Sequence, residues 1–224
     1  MSSVAGESLE RGAAGKEQAV QALRQAIRNG DMAPGQRLVE SELAETFRVT
    51  RASVRAALLD LTAEGLVERI PNRGARVRSV SLAEAIRITE CRMALEGLCA
   101  AKAAEHATDE QIAHLIDVGE RLRACVQAGE PLKYSGINQE LHRYIQEISG
   151  QDVAMGLLGR LNAQLVRHQF RLALQPGRPQ VSLAQHLAIV EAIRDRDPER
   201  AERAARQHLV SVIEALGAVE TGQH

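Results

Sequence analysis

Between Leu38 and Val77 the apolar positions change rhythm, and each change marks an element. Leu43, Ala44 and Phe47 fall at helical spacing, which predicts a short helix over Glu40 to Phe47 followed by a brief turn at Arg48-Val49. Val54, Ala57, Leu58 and Leu61 then form one apolar stripe, so a second helix is expected to run from Thr50 to Glu64. The Thr50 hydroxyl can cap its start, and Gly65 stands where a left-handed stop is easiest. Beyond it, Val67 to Ile70 and Ala75 to Val80 read as two strands of a hairpin joined through Pro71-Asn72-Arg73-Gly74. Helix, turn, helix and hairpin in that order predict a winged helix-turn-helix, a fold that meets duplex DNA.

From Ser81 onward the spacing is helical throughout, with breaks at 107–109, 129–131, 149–152, 176–179 and 197–198. Six helices are expected, over 82–105, 109–128, 131–148, 152–174, 182–196 and 198–218, packed as an antiparallel bundle. The fold class is therefore mainly α. The expected organisation is a disordered tail over 1–15, the winged domain over 16–78 and a linker over 79–81, then a helical domain over 82–219 and a tail over 220–224.

Charge sharpens the picture by its placement. The whole chain of 224 residues carries a formal charge of only −1. Residues 48 to 78 hold seven arginines against three carboxylates, a local +4, whereas residues 81 to 224 hold sixteen basic and nineteen acidic side chains, or −3. Attraction for a polyanion is thus confined to the first domain. Arg51 and Arg55, four residues apart, project near the N-terminal end of the second helix, the end a recognition helix pushes into the major groove. Arg73 at the hairpin tip, beside the permissive Gly74, is placed to enter a minor groove or clamp a phosphate. Aromatic residues make up 2% of the chain, which argues against RNA or single strands, whose bases stack on rings. The first fifteen residues have no apolar leader-like core, and no segment has the uncharged apolar run that a membrane span needs, so a cytoplasmic location is expected. Cys91, Cys99 and Cys125 have no paired spacing and read as small core residues.

The candidate chemistry of the second half lies in polar side chains on apolar faces. Asn138 and His142 share a stripe with Leu141 and Ile145. His186 shares one with Leu183, Ile189, Val190 and Ile193, and His208 lies between Ala204, Ala205 and Val212. Inward polar groups need partners, and bundle helices often converge imidazoles on a cation. Three histidines and an amide oxygen suit zinc, nickel or manganese with room for an exogenous ligand. His106, His114, His168 and His224 read as satisfied core or boundary residues. Arg92 lies on the stripe of Ile88, Leu95 and Cys99, where either an internal pair with Glu96 or an anionic ligand satisfies it. Asn162, Gln164 and Arg171 could line the same cavity or simply face solvent. Catalytic zinc is a rival reading of three histidines, but no HExxH segment and no evident general base accompany them.

The run IRNGDMAPGQRLVESELAETFRVTRASVRAALLDLTAEGLVERIPNRGARV resembles the DNA-binding domain of GntR-type bacterial transcriptional regulators over residues 16 to 80. Carried over position by position, the resemblance implies DNA contacts at Ser41, Thr50, Arg51, Ser53, Arg55, Arg73 and Gly74. Ser41 stands where many relatives have arginine and Ser53 where many have proline. Residues 81 to 219 resemble the helical FCD effector domain of the FadR-like subgroup, and six helices point to its VanR-like branch. The resemblance implies divalent-metal ligands at Asn138, His142, His186 and His208, with Asn138 replacing the usual aspartate, so that occupancy is expected to be partial or effector-dependent. It also implies a homodimer on a pseudo-palindromic operator, acting as a repressor, and a small carboxylate effector. A direct metal-sensing regulator is the alternative in the same family.

Overall fold

The computed structural model describes residues 10–71 and 73–221, and its contacts divide the chain into two units after Val80. In the first unit, helix α1 (Gly12–Asn29) packs Ala19, Leu23 and Ile27 inward, and Gly30 ends it at φ 84°. Strand β1 (Arg37–Leu38) leads into α2 (Glu40–Thr46), which buries Leu43 and Ala44. Between α2 and α3 (Arg51–Ala63), Arg48 adopts φ 54°, a left-handed conformation that lets the chain reverse within a few residues. The predicted stripe Val54, Ala57, Leu58 and Leu61 is buried, and Arg24 of α1 donates to Glu64 just past the end of α3 at 2.7 and 3.2 Å.

The hairpin is β2 (Val67–Ile70) and β3 (Gly74–Val77), antiparallel, with Ile70 opposite Gly74 and Glu68 opposite Arg76. Gly74 has φ 87°, the region that only glycine enters at little cost, which is why the wing can turn there. The sheet has three strands in the order β1-β3-β2, and β1 was not apparent from sequence. Two residues are too few for any alternation to register, and β1 exists because β3 offers it a free edge.

The cap on α3 is as expected. Thr50 Oγ1 accepts from the Ser53 N–H at 3.1 Å. Thr50→Ala should cost about 1 kcal/mol of stability in the first unit, read from the urea midpoint. An unchanged midpoint would mean that Ser53 and water replace the cap.

The second unit comprises α4 (Leu82–His106), α5 (Asp109–Ala128), α6 (Pro131–Ser149), α7 (Asp152–Gln164), α8 (Val166–Ala173), α9 (Arg178–Arg194) and α10 (Pro198–Thr221). Ser81 caps α4, and Thr108 with Gln111 forms a capping box on α5. The main core gathers Leu115, Val118 and Leu122 of α5, Leu141 and Ile145 of α6, Ile189 and Ile193 of α9, and Ala201 and Ala205 of α10.

Several boundaries differ from expectation, among them the start of α9 at Arg178 instead of 182 and the end of β3 at Val77 instead of Val80. The helix expected over 152–174 is two, broken at Leu165, where φ −99° and ψ 3° tighten the chain and Leu165 N–H donates to Asn162 O instead of a residue four back. Leu165 is 2% exposed, so the break turns it into the core without any glycine or proline to announce it. Among the described residues the unit thus has seven helices, and a count of six no longer bears on the branch of the family. The tail expected over 1–15 is helical from Gly12, and the remainder of it up to residue 9 lies outside the described residues. At the other end α10 continues to Thr221, past the expected stop at 218. No helix among the described residues is long and apolar enough to cross a membrane.

Candidate DNA-binding surface and metal centre

In the first unit, Arg51 and Arg55 are exposed at the start of α3, as the four-residue spacing requires. Arg55 is held by Glu40 of α2 through contacts of 2.7, 3.1 and 3.2 Å. Hydrogen bonding by Arg55 holds the Glu40 carboxyl below its ordinary value despite some desolvation. Both partners reach solvent, so the pair orients the guanidinium more than it stabilises the fold. A groove of about 150 Å³ runs beside it, lined by Arg37, Arg55, Arg69, Arg73 and Gly74 with Glu40. Arg37 and Arg69 were not singled out from sequence, and only the pairing of β1 with β3 brings Arg37 to this face.

Ser41 is half-buried on α2, and Arg73 is exposed on the wing. Ser53, by contrast, is buried. Its side chain is 4% exposed and its hydroxyl lies 2.9 Å from that of Thr50. A Cβ added at Gly15 of α1 would approach Ser53 Oγ to 2.9 Å, so Ser53 is packed against α1. It contributes by fixing the start of α3.

In the second unit, three helices bring the predicted histidines together. His186 Nε2 lies 3.3 Å from His142 Nε2 and 3.3 Å from His208 Nε2. All three rings offer ligand nitrogens within 4.8 Å of one another. Each second ring nitrogen faces an oxygen. Tyr134 Oη lies 2.9 Å from His186 Nδ1, and Gln185 Oε1 lies 3.0 Å from His208 Nδ1. Glu96 Oε2 lies 3.1 Å from His142 Nδ1, close enough for ion pairing but off the N–H direction, so that this oxygen has no aligned donor.

A carboxylate or amide oxygen can only accept, so at His142 and His208 Nδ1 carries the proton and Nε2 turns its lone pair inward; the Tyr134 hydroxyl can accept or donate and is compatible with the same tautomer at His186. Burial, reinforced by the neighbouring imidazoles and by Arg178, pushes His186 and His208 well below the ordinary imidazole value, which keeps both neutral. Lone pairs aimed at one another at 3.3 Å repel unless a cation lies between them. Tetrahedral zinc with Zn–N bonds of about 2.05 Å separates its nitrogens by about 3.3 Å. Asn138, one turn before His142 on α6, has a buried Oδ1 with no hydrogen-bond partner. The donor set therefore fits a divalent cation, with three imidazoles and one neutral oxygen.

Arg92 resolves to the internal pair of its two readings. Its Nη2 and Nε lie 2.8 and 2.9 Å from Glu96 Oε1, and both residues are buried. Burial would raise the Glu96 carboxyl, but Arg92 and His142 outweigh it and hold it at about 2. Glu96 is thus a carboxylate shared between Arg92 and His142. Asn162 on α7 accepts from Gln169 at 3.4 Å. Gln164 ends α7 and Arg171 lies on α8, both half-buried. The hydrogen bonds of the cluster's Nδ1 atoms go to none of these three. Tyr134 and Gln185 were missed in the sequence, although Tyr134 completes the column of Tyr134, Asn138 and His142 at intervals of four on α6.

Comparison with known proteins agrees with this division of the chain. Residues 16–77 match the gntR family of bacterial regulatory proteins, and residues 87–211 match the FCD domain. The chain is 34% identical over 217 residues to the transcriptional repressor NanR of Salmonella newport, covering 85% of this chain and 80% of that protein. It is 28% identical over 200 residues to the repressor RspR of Escherichia coli, covering 89% and 88%. The solved structure of E. coli McbR/YncC superposes with a TM-score of 0.78 at 21% identity, over 92% of this chain and 98% of that one, which shows the shared fold. The relatives are regulators, so the histidine cluster belongs to a regulatory protein rather than a hydrolase. The chain belongs to the gntR family of bacterial regulatory proteins, with an FCD domain as its second unit.

Proposed function

We propose that this protein is a repressor that grips a pseudo-palindromic operator as a homodimer, working on DNA in the cytoplasm, and releases it when a small carboxylate reaches a metal held in the helical unit. The observation that carries the reading is the inward convergence of three Nε2 lone pairs, each ring held by an oxygen on its other nitrogen. His142, His186, His208 and Asn138 hold the cation, with zinc the first choice and nickel or manganese the alternatives. When bound, it supplies Lewis-acid coordination for an anionic oxygen. Arg51, Arg55 and Arg73 meet bases and phosphates, the Gly74 turn lets the wing approach the backbone, and Ser41, Thr50 and Ser53 set the approach of α3.

Charge explains why an anion is the signal. Three neutral imidazoles and an amide bring no negative charge, and the Glu96 carboxylate is already matched by Arg92. A divalent cation leaves a buried positive surplus that an effector carboxylate can offset. The test is operator binding by the metal-loaded protein, titrated with carboxylates, with and without chelator. Release by a carboxylate that chelation abolishes supports the reading. Release by chelation alone would make the cation itself the signal, and no response to either would sink the proposal.

Asn138→Asp is the informative variant of the metal set. It restores a charged oxygen at the orphaned position and should tighten metal binding by roughly tenfold or more, measured by competition with a chromogenic chelator. Equal affinity would take Asn138 out of the ligand set.

A further inference from the structure

The bundle carries polar columns that continue past the histidines. On α9, Arg178, Ser182 and His186 follow at intervals of four. On α6 the column is Tyr134, Asn138 and His142, and on α10 Ser211 lies one turn beyond His208. Tyr134 is bonded to His186, and Arg178 Nη1 donates to Ser211 Oγ at 2.7 Å and to Ser211 O at 3.3 Å. One polar shaft therefore runs from the metal ligands toward the N-terminal end of α9.

Arg178 is 9% exposed, and its Nη2 is buried with no hydrogen-bond partner. Among the described residues it has no ion-pair partner. Glu214, exposed on α10, acts on it only at a distance, and burial holds its guanidinium below the ordinary arginine value. A buried cation without a carboxylate is costly to keep, unlike Arg92, which has one. Beside the shaft opens a cavity of about 210 Å³ lined by Tyr134, Gln175, Glu130 (itself paired with Lys133) and the chain neighbours of Arg178, Gly177 and Pro179, though not by Arg178 itself, and Gln175 Oε1 is another buried polar atom with no partner. Access from solvent, unsatisfied polar groups and a metal-ligand column meet at one end of the bundle.

We propose that Arg178 is the anion anchor of the effector site, taking the oxyanion head of a small metabolite that enters beside Tyr134 and Gln175. This rests on the effector reading above and moves the anchoring role from Arg92 to Arg178. Ser182, Ser211 and Tyr134 surround the anchor with hydroxyls that can donate to the same head. The rise of an α-helix separates the Cα atoms of Arg178 and His186 by about 12 Å, the span a ligand held by both the anchor and the metal would have to bridge.

The test uses the full-length, zinc-loaded chain and thermal melting. Without added anion, Arg178→Met should melt higher than the parent by roughly 2–4 °C, because it removes an uncompensated buried charge while keeping the chain volume. Arg178→Lys, which retains the charge, should show no such rise. Titrated with succinate and separately with inorganic phosphate, the parent should gain thermal stability and Arg178→Met should lose that gain. A gain with succinate alone marks a carboxylate site, and a gain with phosphate alone a phosphate site. A lower melting point for Arg178→Met would make the arginine a strut between α9 and α10 and overturn the assignment. So would an anion-dependent gain that survives in it, or a parent indifferent to both anions. Should Arg178→Met not fold, Arg178→Gln carries the same comparison. Zinc per chain, measured on the same samples, keeps the outcomes apart: absent zinc defeats the metal reading, while the anion response still tests Arg178.

Discussion

His186→Ala should empty the metal centre. His186 is the hub of the cluster, with its Nε2 at 3.3 Å from Nε2 of His142 and of His208, and it is 1% exposed. Removing it leaves two imidazoles and an amide oxygen, too few and too weakly charged to hold zinc against a mild chelator. Zinc per chain, by elemental analysis after dialysis, should fall at least tenfold from the parent value, because losing a ligand weakens binding beyond the roughly 10–100-fold typical of changing a supporting residue. The second readout is thermal. At a zinc concentration about a thousand times its dissociation constant, binding adds about 4 kcal/mol to the stability of the folded parent, and the variant should lose that increment. Tyr134→Phe, which leaves the ligand nitrogens but removes the oxygen that orients His186, should give a partial loss. Unchanged zinc in His186→Ala would remove the cluster from the mechanism and return these histidines to the core.

How far this site could be read in the sequence depended on spacing. Asn138 and His142, four apart on an apolar stripe, and His186 and His208, each among aliphatic neighbours, announced inward polar groups. Their convergence is a tertiary fact, set by the way α6, α9 and α10 pack, and it became an expectation through family resemblance. The supporting shell was hidden for a different reason. Gln185 is the immediate chain neighbour of His186 and reaches His208 on another helix, a pairing that no local pattern records. Arg178 was hidden because the helix was expected to begin at 182, whereas Pro179 occupies its first turn and α9 starts at Arg178. Once that turn is helical, the column of Arg178, Ser182 and His186 follows.

The first unit was legible where the signals were chemical. The threonine cap, the glycine of the wing and the arginines of α3 each require a particular residue type, and each stood at the expected place. What sequence did not disclose was competition for space. Ser53 takes a position open to DNA in linear terms, but α1 lies over it, and Gly15 is what permits that approach. The break at Leu165 is similar in kind, since a buried leucine satisfies helical periodicity on both sides of the bend.

Charge reversal at Arg51 and Arg55 should produce the largest effect on DNA binding. Each exposed guanidinium lies near the front of α3, where a bidentate contact to guanine would separate operator from bulk DNA and a clamp on phosphate would add affinity for both. Arg51→Glu combined with Arg55→Glu removes two cations and adds two anions facing the phosphates, so operator affinity should drop by at least roughly a hundredfold. Replacing both by alanine should weaken binding less and lower the slope of log affinity against log salt by about 0.9 for each phosphate no longer neutralised, which separates base reading from backbone attraction. Glu40 makes a third arm. In the free protein its carboxylate holds Arg55 at 2.7 Å, so binding that hands Arg55 to a base must either keep this pair as a brace or break it. Glu40→Gln should lower operator discrimination if the pair braces Arg55, and raise affinity without changing discrimination if it restrains it. A double-reversed, folded variant that grips operator as tightly as the parent would show that α3 does not face DNA, and the repressor assignment would fall with it.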